Sequence, residues 1–328
     1  MNPSTDFSLV TQKQSISVKE LLEKNAKEFE LRLLSGKRYA DRPITTHEIH
    51  FPGLALTGFL YHFHYNKIQC LADMEWHYLN SLSPRERRTC IKKLLAHPIP
   101  AILVTSSRAP HPELLEGARA SGVPIFGTPL ISPEASHRIT DFLEDYFAPK
   151  MTLHASLVDV YGIGLLYIGK SGIGKSECAL DLIERGHRLV ADDIITLTKR
   201  GNTLVGQGSP LLGHHMEIRG IGIINIQSLF GIRAIRLDKK VEVVIELVAW
   251  NPKDNYDRTG LSETVIDIMG LKVDKVTIPI FPGKNITVIS EVIAMNMLLK
   301  YNGVNTAKEF NQQLITTLQN KRTARSKE

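Results

Sequence analysis

An α/β protein of two domains is what this sequence predicts, and three observations carry the prediction. Apolar runs of strand length alternate with stretches of helical spacing through the first half of the chain. Ala148-Pro149-Lys150 breaks a helical stretch, and beyond it glycine and β-rich runs become frequent. A glycine-rich loop then sits between a buried-strand run and an amphipathic helix. The break puts residues 1–149 in a first, smaller α/β domain and 150–320 in a second. Residues 321–328 are left as a short basic tail, read as a solvated, frayed end.

In chain order, Ser17 and Glu20 form a capping box. The apolar spacing through Leu21, Leu22, Phe29, Leu31, Leu33 and Leu34 predicts one helix over 17–36, closed by Gly36. Leu54–Phe59 and Ala101–Val104 read as strands, Glu113–Ala120 and His137–Phe147 as helices. The phrase Ile102-Leu103-Val104-Thr105-Ser106-Ser107 ends a strand in small hydroxyl residues. It has no glycine for close backbone approach, so it is read as an ordinary turn and not as a phosphate loop. In the second half, Val241–Leu247 and Val276–Ile280 read as strands.

Composition excludes several classes. The 328 residues are 43% hydrophobic and 23% charged, an ordinary globular balance that rules out wholesale disorder. The net charge of +6 is spread along the chain with no basic recognition helix, so no nucleic acid is expected as a partner. No run approaches ~18 uninterrupted apolar residues, and the start lacks an apolar block of signal-peptide length. Neither a membrane nor export is therefore expected. Cys70, Cys90 and Cys178 contain no paired spacing, which argues against disulfides and a four-cysteine zinc site and for a reducing, cytoplasmic setting.

The strongest signal is Gly169-Lys170-Ser171-Gly172-Ile173-Gly174-Lys175-Ser176, which fits G-x-x-x-x-G-K-[ST]. Leu165–Ile168 before it reads as a buried strand, and Ser176–Arg185 after it as a helix. Strand, glycine loop and helix together predict a site for a nucleoside triphosphate. Backbone N–H groups would turn onto phosphate oxygens, Lys175 would reach the β- and γ-phosphates, and the Ser176 hydroxyl would bind Mg²⁺.

Further on, His187–Ala191 forms an apolar strand ending in Asp192 and Asp193. Adjacent acids on a strand point to opposite faces, so one of the two is expected to face the phosphates. Upstream, His154 opens a hairpin of Ala155–Val160 and Leu165–Ile168, which would bring it near the same pocket. His214 and His215 are adjacent, unlike the i, i+4 spacing of a zinc helix, so zinc is discounted. Glu217 is the better hard-oxygen ligand for Mg²⁺. No base-specifying element of a GTPase is present, and a compact kinase is the favoured class.

Five ordered segments then become informative together: His154–Asp159, the loop Gly169–Ser176, Arg185–Asp193, Glu217–Asn225, and Tyr256-Asp257-Arg258. They resemble HPr kinase/phosphorylase, through nearly all of residues 151–303. The resemblance implies a second domain similar to the nucleotide fold of phosphoenolpyruvate carboxykinase. It implies transfer from ATP or pyrophosphate to a serine of the phosphocarrier HPr, and phosphate-dependent removal of that group to give pyrophosphate, with Mg²⁺ and in a homohexamer. By the same resemblance, His154, Lys175, Asp193 and Arg258 form the catalytic set, and Ser176 and Glu217 hold Mg²⁺. The segment Glu217, Ile218, Arg219, Gly220, Ile221, Gly222, Ile223, Ile224, Asn225, Ile226 would serve both reactions, and Pro279, Ile280, Phe281, Pro282, Gly283, Lys284 dephosphorylation. The family usually has Arg where Lys284 stands, and often a basic residue in place of Phe281. Lys keeps the charge and loses the bidentate fork. The alternative readings are a P-loop kinase of a small molecule and a nucleotide sensor without transfer activity.

Overall fold

The computed structural model describes residues 7, 9–209, 213–253 and 264–325. Two compact units form, one of Gln12–Ala148 and one of Pro149–Glu328 together with Met1–Thr11. The first strand, β1 (Val10–Thr11), pairs antiparallel with Lys150 and Met151 of the second unit. A division at 149 alone would have placed it in the first.

In the unit of Gln12–Ala148, β2 (Ile16–Ser17) leads into α1 (Val18–Asn25), whose Glu20 N–H donates to the Ser17 hydroxyl. The helix expected over 17–36 stops there. Residues Arg32–Ser35 form β3 instead, pairing antiparallel with a later strand at Arg32↔Gly127 and Leu33↔Phe126. Short β4 (Pro43–Ile44) pairs with β2, and β5 (Ile49–His50) follows. The strand expected at 54–59 is also absent: α2 (Gly53–Leu56) and a turn replace it. There the adjacent Ala55 and Leu56 are both buried while Leu54 and Phe59 are exposed, which is not the alternation a strand needs.

The remainder is a strand–helix succession: β6 (Ile68–Leu71), α3 (Asp73–Ser81), α4 (Pro84–Leu95), β7 (Ile102–Val104), α5 (Pro112–Ser121), β8 (Ile125–Gly127) and α6 (Ser132–Phe147). The sheet runs β3-β8-β7-β6-β5, with β5 to β8 parallel and β3 antiparallel at the edge. Strand alternation sends Ile102 and Val104 to the face covered by α3, α4 and α5, and Leu103 to the face covered by α1 and α6.

The second unit has two sheets. After β9 (Lys150–His154) come β10 (Ser156–Val160), β11 (Ile163–Gly169), α7 (Lys175–Glu184), β12 (Arg188–Ala191), β13 (Ile194–Arg200) and β14 (Thr203–Gly208). A hairpin follows, β15 (His215–Ile218) and β16 (Gly222–Asn225), and then α8 (Ile226–Phe230) and β17 (Asp238–Lys240). The chain continues through β18 (Val243–Ala249), β19 (Val265–Ile268), β20 (Leu271–Ile280), α9 (Ile286–Tyr301) and α10 (Thr306–Arg325). Residues 321–325, expected as a frayed tail, continue the last helix.

A six-stranded sheet, β12-β10-β11-β18-β20-β19, lies between helices and a five-stranded sheet, β1-β9-β13-β14-β17. On β11, Leu165 and Tyr167 face α7 and α9, while Leu166 and Ile168 face the second sheet. All four are buried, and each such side chain contributes roughly 1.5–3 kcal/mol. This doubly buried strand is the rigid base from which the glycine loop springs.

Candidate active site

The loop leaves β11 at Gly169 and enters α7 at Lys175. Gly169 has φ +147°, and a Cβ there would lie 2.6 Å from the Leu247 carbonyl oxygen of the neighbouring parallel strand. Only glycine fits. Gly172 has φ +76°, and its Cβ would meet the Arg219 guanidinium at 2.6 Å. Gly174 precedes α7 in the left-handed region, and no side chain caps that helix N-terminus. The turn thus leaves the first amides of α7 facing an open cavity, the arrangement that suits phosphate.

The acids reach this cavity through a corner between the two sheets. His154 ends β9 in one sheet, and Ser156 begins β10 in the other. Asp192 and Asp193 make the reverse crossing between β12 and β13. The corners are held together by Ala155 N–H donating to the Asp193 carbonyl at 3.2 Å. His154 Nδ1 and Asp193 Oδ1 therefore lie 3.0 Å apart although 39 residues separate them in sequence. Both side chains are open to solvent, at 77% and 70% exposure.

One expectation is corrected here. The acids do not divide between opposite faces, because the strand has already ended at Ala191 and Asp193 adopts φ +65°. Asp192 and Asp193 line the same cavity of about 220 Å³, with Lys175, Ser176, Glu217 and Arg219. Their surroundings differ. Asp192 is buried, and burial raises its proton affinity above the ordinary carboxylate range, while hydroxyls of Ser156 and Ser176 donate to it and oppose that rise. Burial likewise lowers the Lys175 pKa, against the pull of Asp192 and Asp193. Its Nζ donates to the carbonyls of Gly169 at 3.1 Å and Lys170 at 3.3 Å.

The segment 217–226 divides by role. Glu217 and Arg219 reach the cavity; Ile218 and Ile226 are buried; Ile221 and Ile223 are exposed. Asn225 caps α8, accepting the Ser228 N–H at 2.8 Å. Gly220 and Gly222 take positive φ in the turn between β15 and β16. Arg219 makes no ion pair among the described residues. Its position over Gly172 was invisible to sequence spacing, since it depends on the hairpin folding back across the loop.

Residues 279–284 come to the other side of the loop. Ile280, Gly283 and Lys284 line a larger cavity, about 860 Å³, with Ile173, Gly174, Glu177 and Arg185. Gly174 and Glu177 border both cavities. Lys284 Nζ donates to the Pro279 carbonyl at 3.0 Å and lies 5.3 Å from the centre of the Phe281 ring. Burial lowers its pKa. Arg258, with Tyr256 and Asp257, lies outside the described residues.

The donor set fits a hard cation. Ser176, Asp192 and Glu217 offer oxygen alone, and among the described residues no cationic side chain is hydrogen-bonded to the buried Asp192 carboxylate. Among the described residues, no three His, Cys, Asp or Glu side chains cluster tightly enough to hold a metal by themselves. Phosphate oxygens and water would complete the shell, as Mg²⁺ prefers. No described helix is long and apolar enough to cross a membrane.

The chain is similar to known proteins along most of its length. A profile described as HPr Serine kinase C-terminal domain matches residues 145–314, and one described as HPr Serine kinase N terminus matches 16–143. An HPr kinase/phosphorylase from Chloroherpeton thalassium is 45% identical over 305 residues, covering 92% of this chain and 90% of the relative. One from Geobacter sulfurreducens is 43% identical over 306 residues, covering 93% and 96%. Among solved structures, the HPr(Ser) kinase/phosphatase from Coxiella burnetii is 35% identical, covering 49% of this chain and 98% of its own, with a TM-score of 0.44. Both profiles and near full-length relatives agree, and the chain belongs to the HPr kinase/phosphorylase family.

Proposed function

We propose that this chain transfers a phosphoryl group from ATP or pyrophosphate to a serine of HPr, and removes it again by attack of inorganic phosphate to give pyrophosphate. The observation that carries this reading is the single cavity joining the glycine loop to Asp193 and Glu217. A protein substrate must present its serine from outside, and an exposed base is suited to meet it. Asp193 would accept the serine proton in the forward direction and return it to the leaving serine oxygen in reverse, as microscopic reversibility requires. His154, at 3.0 Å, would hold that carboxylate in place.

Lys175 and Arg219 would neutralise charge on the transferring group, with Arg258 as a further member. Mg²⁺ would be held by Ser176 and Glu217, with the buried Asp192 as a third oxygen ligand. When bound, it supplies charge neutralisation at the phosphates. Residues 279–284, bordering the loop from the second cavity, would seat inorganic phosphate, with Lys284 as a point charge where a fork is usual. A homohexamer in the cytoplasm is the assembly and setting proposed.

The test is a phosphotransfer assay with purified HPr, with and without added phosphate, against a panel of small-molecule acceptors. Phosphoserine on HPr from ATP, and its phosphate-dependent loss with pyrophosphate release, are expected. Transfer to a metabolite with none to HPr would replace this reading with the small-molecule kinase, and binding of nucleotide without any transfer would replace it with a sensor.

A further inference from the structure

The loops after β7 and β8 run to opposite faces of the first unit's sheet: β7 is followed by α5 on one face, β8 by α6 on the other. Adjacent parallel strands whose connections diverge leave a crevice outside their carboxyl ends, which is where open α/β sheets bind ligands. Such a crevice is present, a cavity of about 220 Å³ bordered by Val104, Ser107 and Arg108 after β7, Gly127 and Thr128 after β8, and Arg32 from the antiparallel edge strand β3.

Its chemistry is that of an oxyanion site. Arg32 makes no ion pair among the described residues. Arg108 donates through Nη2 to Asp73, and its Nη1 is buried without a hydrogen-bond partner among the described residues. The Ser107 side chain is exposed. Glu30 also borders the cavity and Asp73 pairs with Arg108, so the two guanidinium groups are matched by two carboxylates, and Arg32 is the cavity cation without an ion pair among the described residues. The amides of the strand-ending turn take no part: Ser106 and Ser107 N–H groups already donate to Leu130 and Thr128 carbonyls at 2.9 and 3.1 Å. The Thr128 hydroxyl donates to the Phe29 carbonyl at 2.7 Å. What is left to recognise a ligand is the Arg32 guanidinium fork, the Nη1 of Arg108 and the Ser107 hydroxyl, more donors than a single carboxylate uses and well matched to phosphate.

We propose that this crevice binds a phosphate group, as the free ion or on a compact phosphomonoester. The cavity offers guanidinium and hydroxyl donors for a phosphate group. Ser107, in the strand-ending stretch read from sequence as an ordinary turn, is then part of a ligand site built from side chains.

Trp76 provides a local reporter, since the Arg108 guanidinium lies 5.9 Å from its ring centre. The chain has two tryptophans, so Trp250→Phe leaves Trp76 alone. The full-length variant is titrated with inorganic phosphate and, separately, with glycerol 1-phosphate, against sodium chloride of equal ionic strength. A saturable change in Trp76 emission is expected with at least one of them, and the tighter binder identifies the source of the phosphate. The change should survive Lys175→Ala, which removes the P-loop cation, and its apparent affinity should fall about tenfold or more in Arg32→Ala, at an exposed position on the sheet edge. No saturable change with either probe, a change unaffected by Arg32→Ala, or one abolished by Lys175→Ala would each overturn the proposal.

Discussion

Two of the turns that connect a parallel strand to a helix in this chain are built in opposite ways. After β11, Gly169, Gly172 and Gly174 take φ of +147°, +76° and +105°, and the loop turns its own backbone toward a cavity. After β7, Ser106 and Ser107 take φ of +60° and +52° without being glycines, and their amides are tied to the loop after β8. The first turn would meet phosphate with backbone dipoles, and it leaves room for acids beside it. The second has its Ser106 and Ser107 amides already engaged, and side chains are what it turns to the crevice. A backbone cradle serves chemistry because it is fixed before substrate arrives.

That contrast can be broken most severely at the corner only the first turn has. Asp193→Asn keeps size and hydrogen bonding and can neither take nor return a proton. Kinase and phosphorylase rates should fall together by ~10²–10⁴, with nucleotide binding retained. Retention of one activity would show that the two directions do not share this acid.

The glycines themselves come next. Gly172→Ala forces a side chain into a positive-φ position and against Arg219. The free loop can relax away from this position, so strain of about 1–3 kcal/mol falls on the nucleotide-bound form and should weaken binding or turnover by roughly 10–100-fold, with the melting curve of the free protein little changed. Nucleotide titration and steady-state rates decide it; a variant indistinguishable from the parent would mean that the loop tolerates a Cβ and that Arg219 is free to move away.

A smaller effect sharpens the electrostatic side. Burial raises the Asp192 pKa, so the folded protein binds that proton more tightly than the unfolded chain. Ionised Asp192 therefore costs stability, and the cost grows as pH rises from the ordinary carboxylate value through the raised one. Asp192→Asn preserves the hydrogen bond accepted from Ser156 and removes the charge. Its Tm should exceed that of the parent at about pH 7, with the difference vanishing near about pH 4, while Mg²⁺ dependence worsens. Thermal melts across this range, beside a Mg²⁺ titration, test both halves. An equal or lower Tm at neutral pH would show that the charge is already compensated.

The smallest change is expected at the second turn. Ser107→Gly relieves a left-handed serine while adding chain entropy to the unfolded state, so stability should shift by no more than ~1 kcal/mol in urea melts. A larger loss would mean that the Ser107 side chain holds the turn together.

What the sequence determined by itself is whatever rests on neighbours in the chain. The loop Gly169–Ser176 was legible because its glycines, its lysine and both flanking elements lie within a few turns of one another, and the Ser17–Glu20 cap was legible for the same reason. Tertiary structure decided the rest. Leu31, Leu33 and Leu34 satisfy helical spacing as well as they satisfy a strand. The partner that settles the matter, Ile125–Gly127, lies about ninety residues away, and its free edge drew β3 out of the expected helix. Asp192 and Asp193 were legible as acids at a strand end, yet only the switch between sheets turned both into one cavity and set Asp193 beside His154. Arg219 over Gly172, and Arg32 beside Arg108, are likewise meetings of distant segments. Local hydrogen bonding and periodicity are written in adjacent residues, whereas charge neighbours and burial belong to the packed whole.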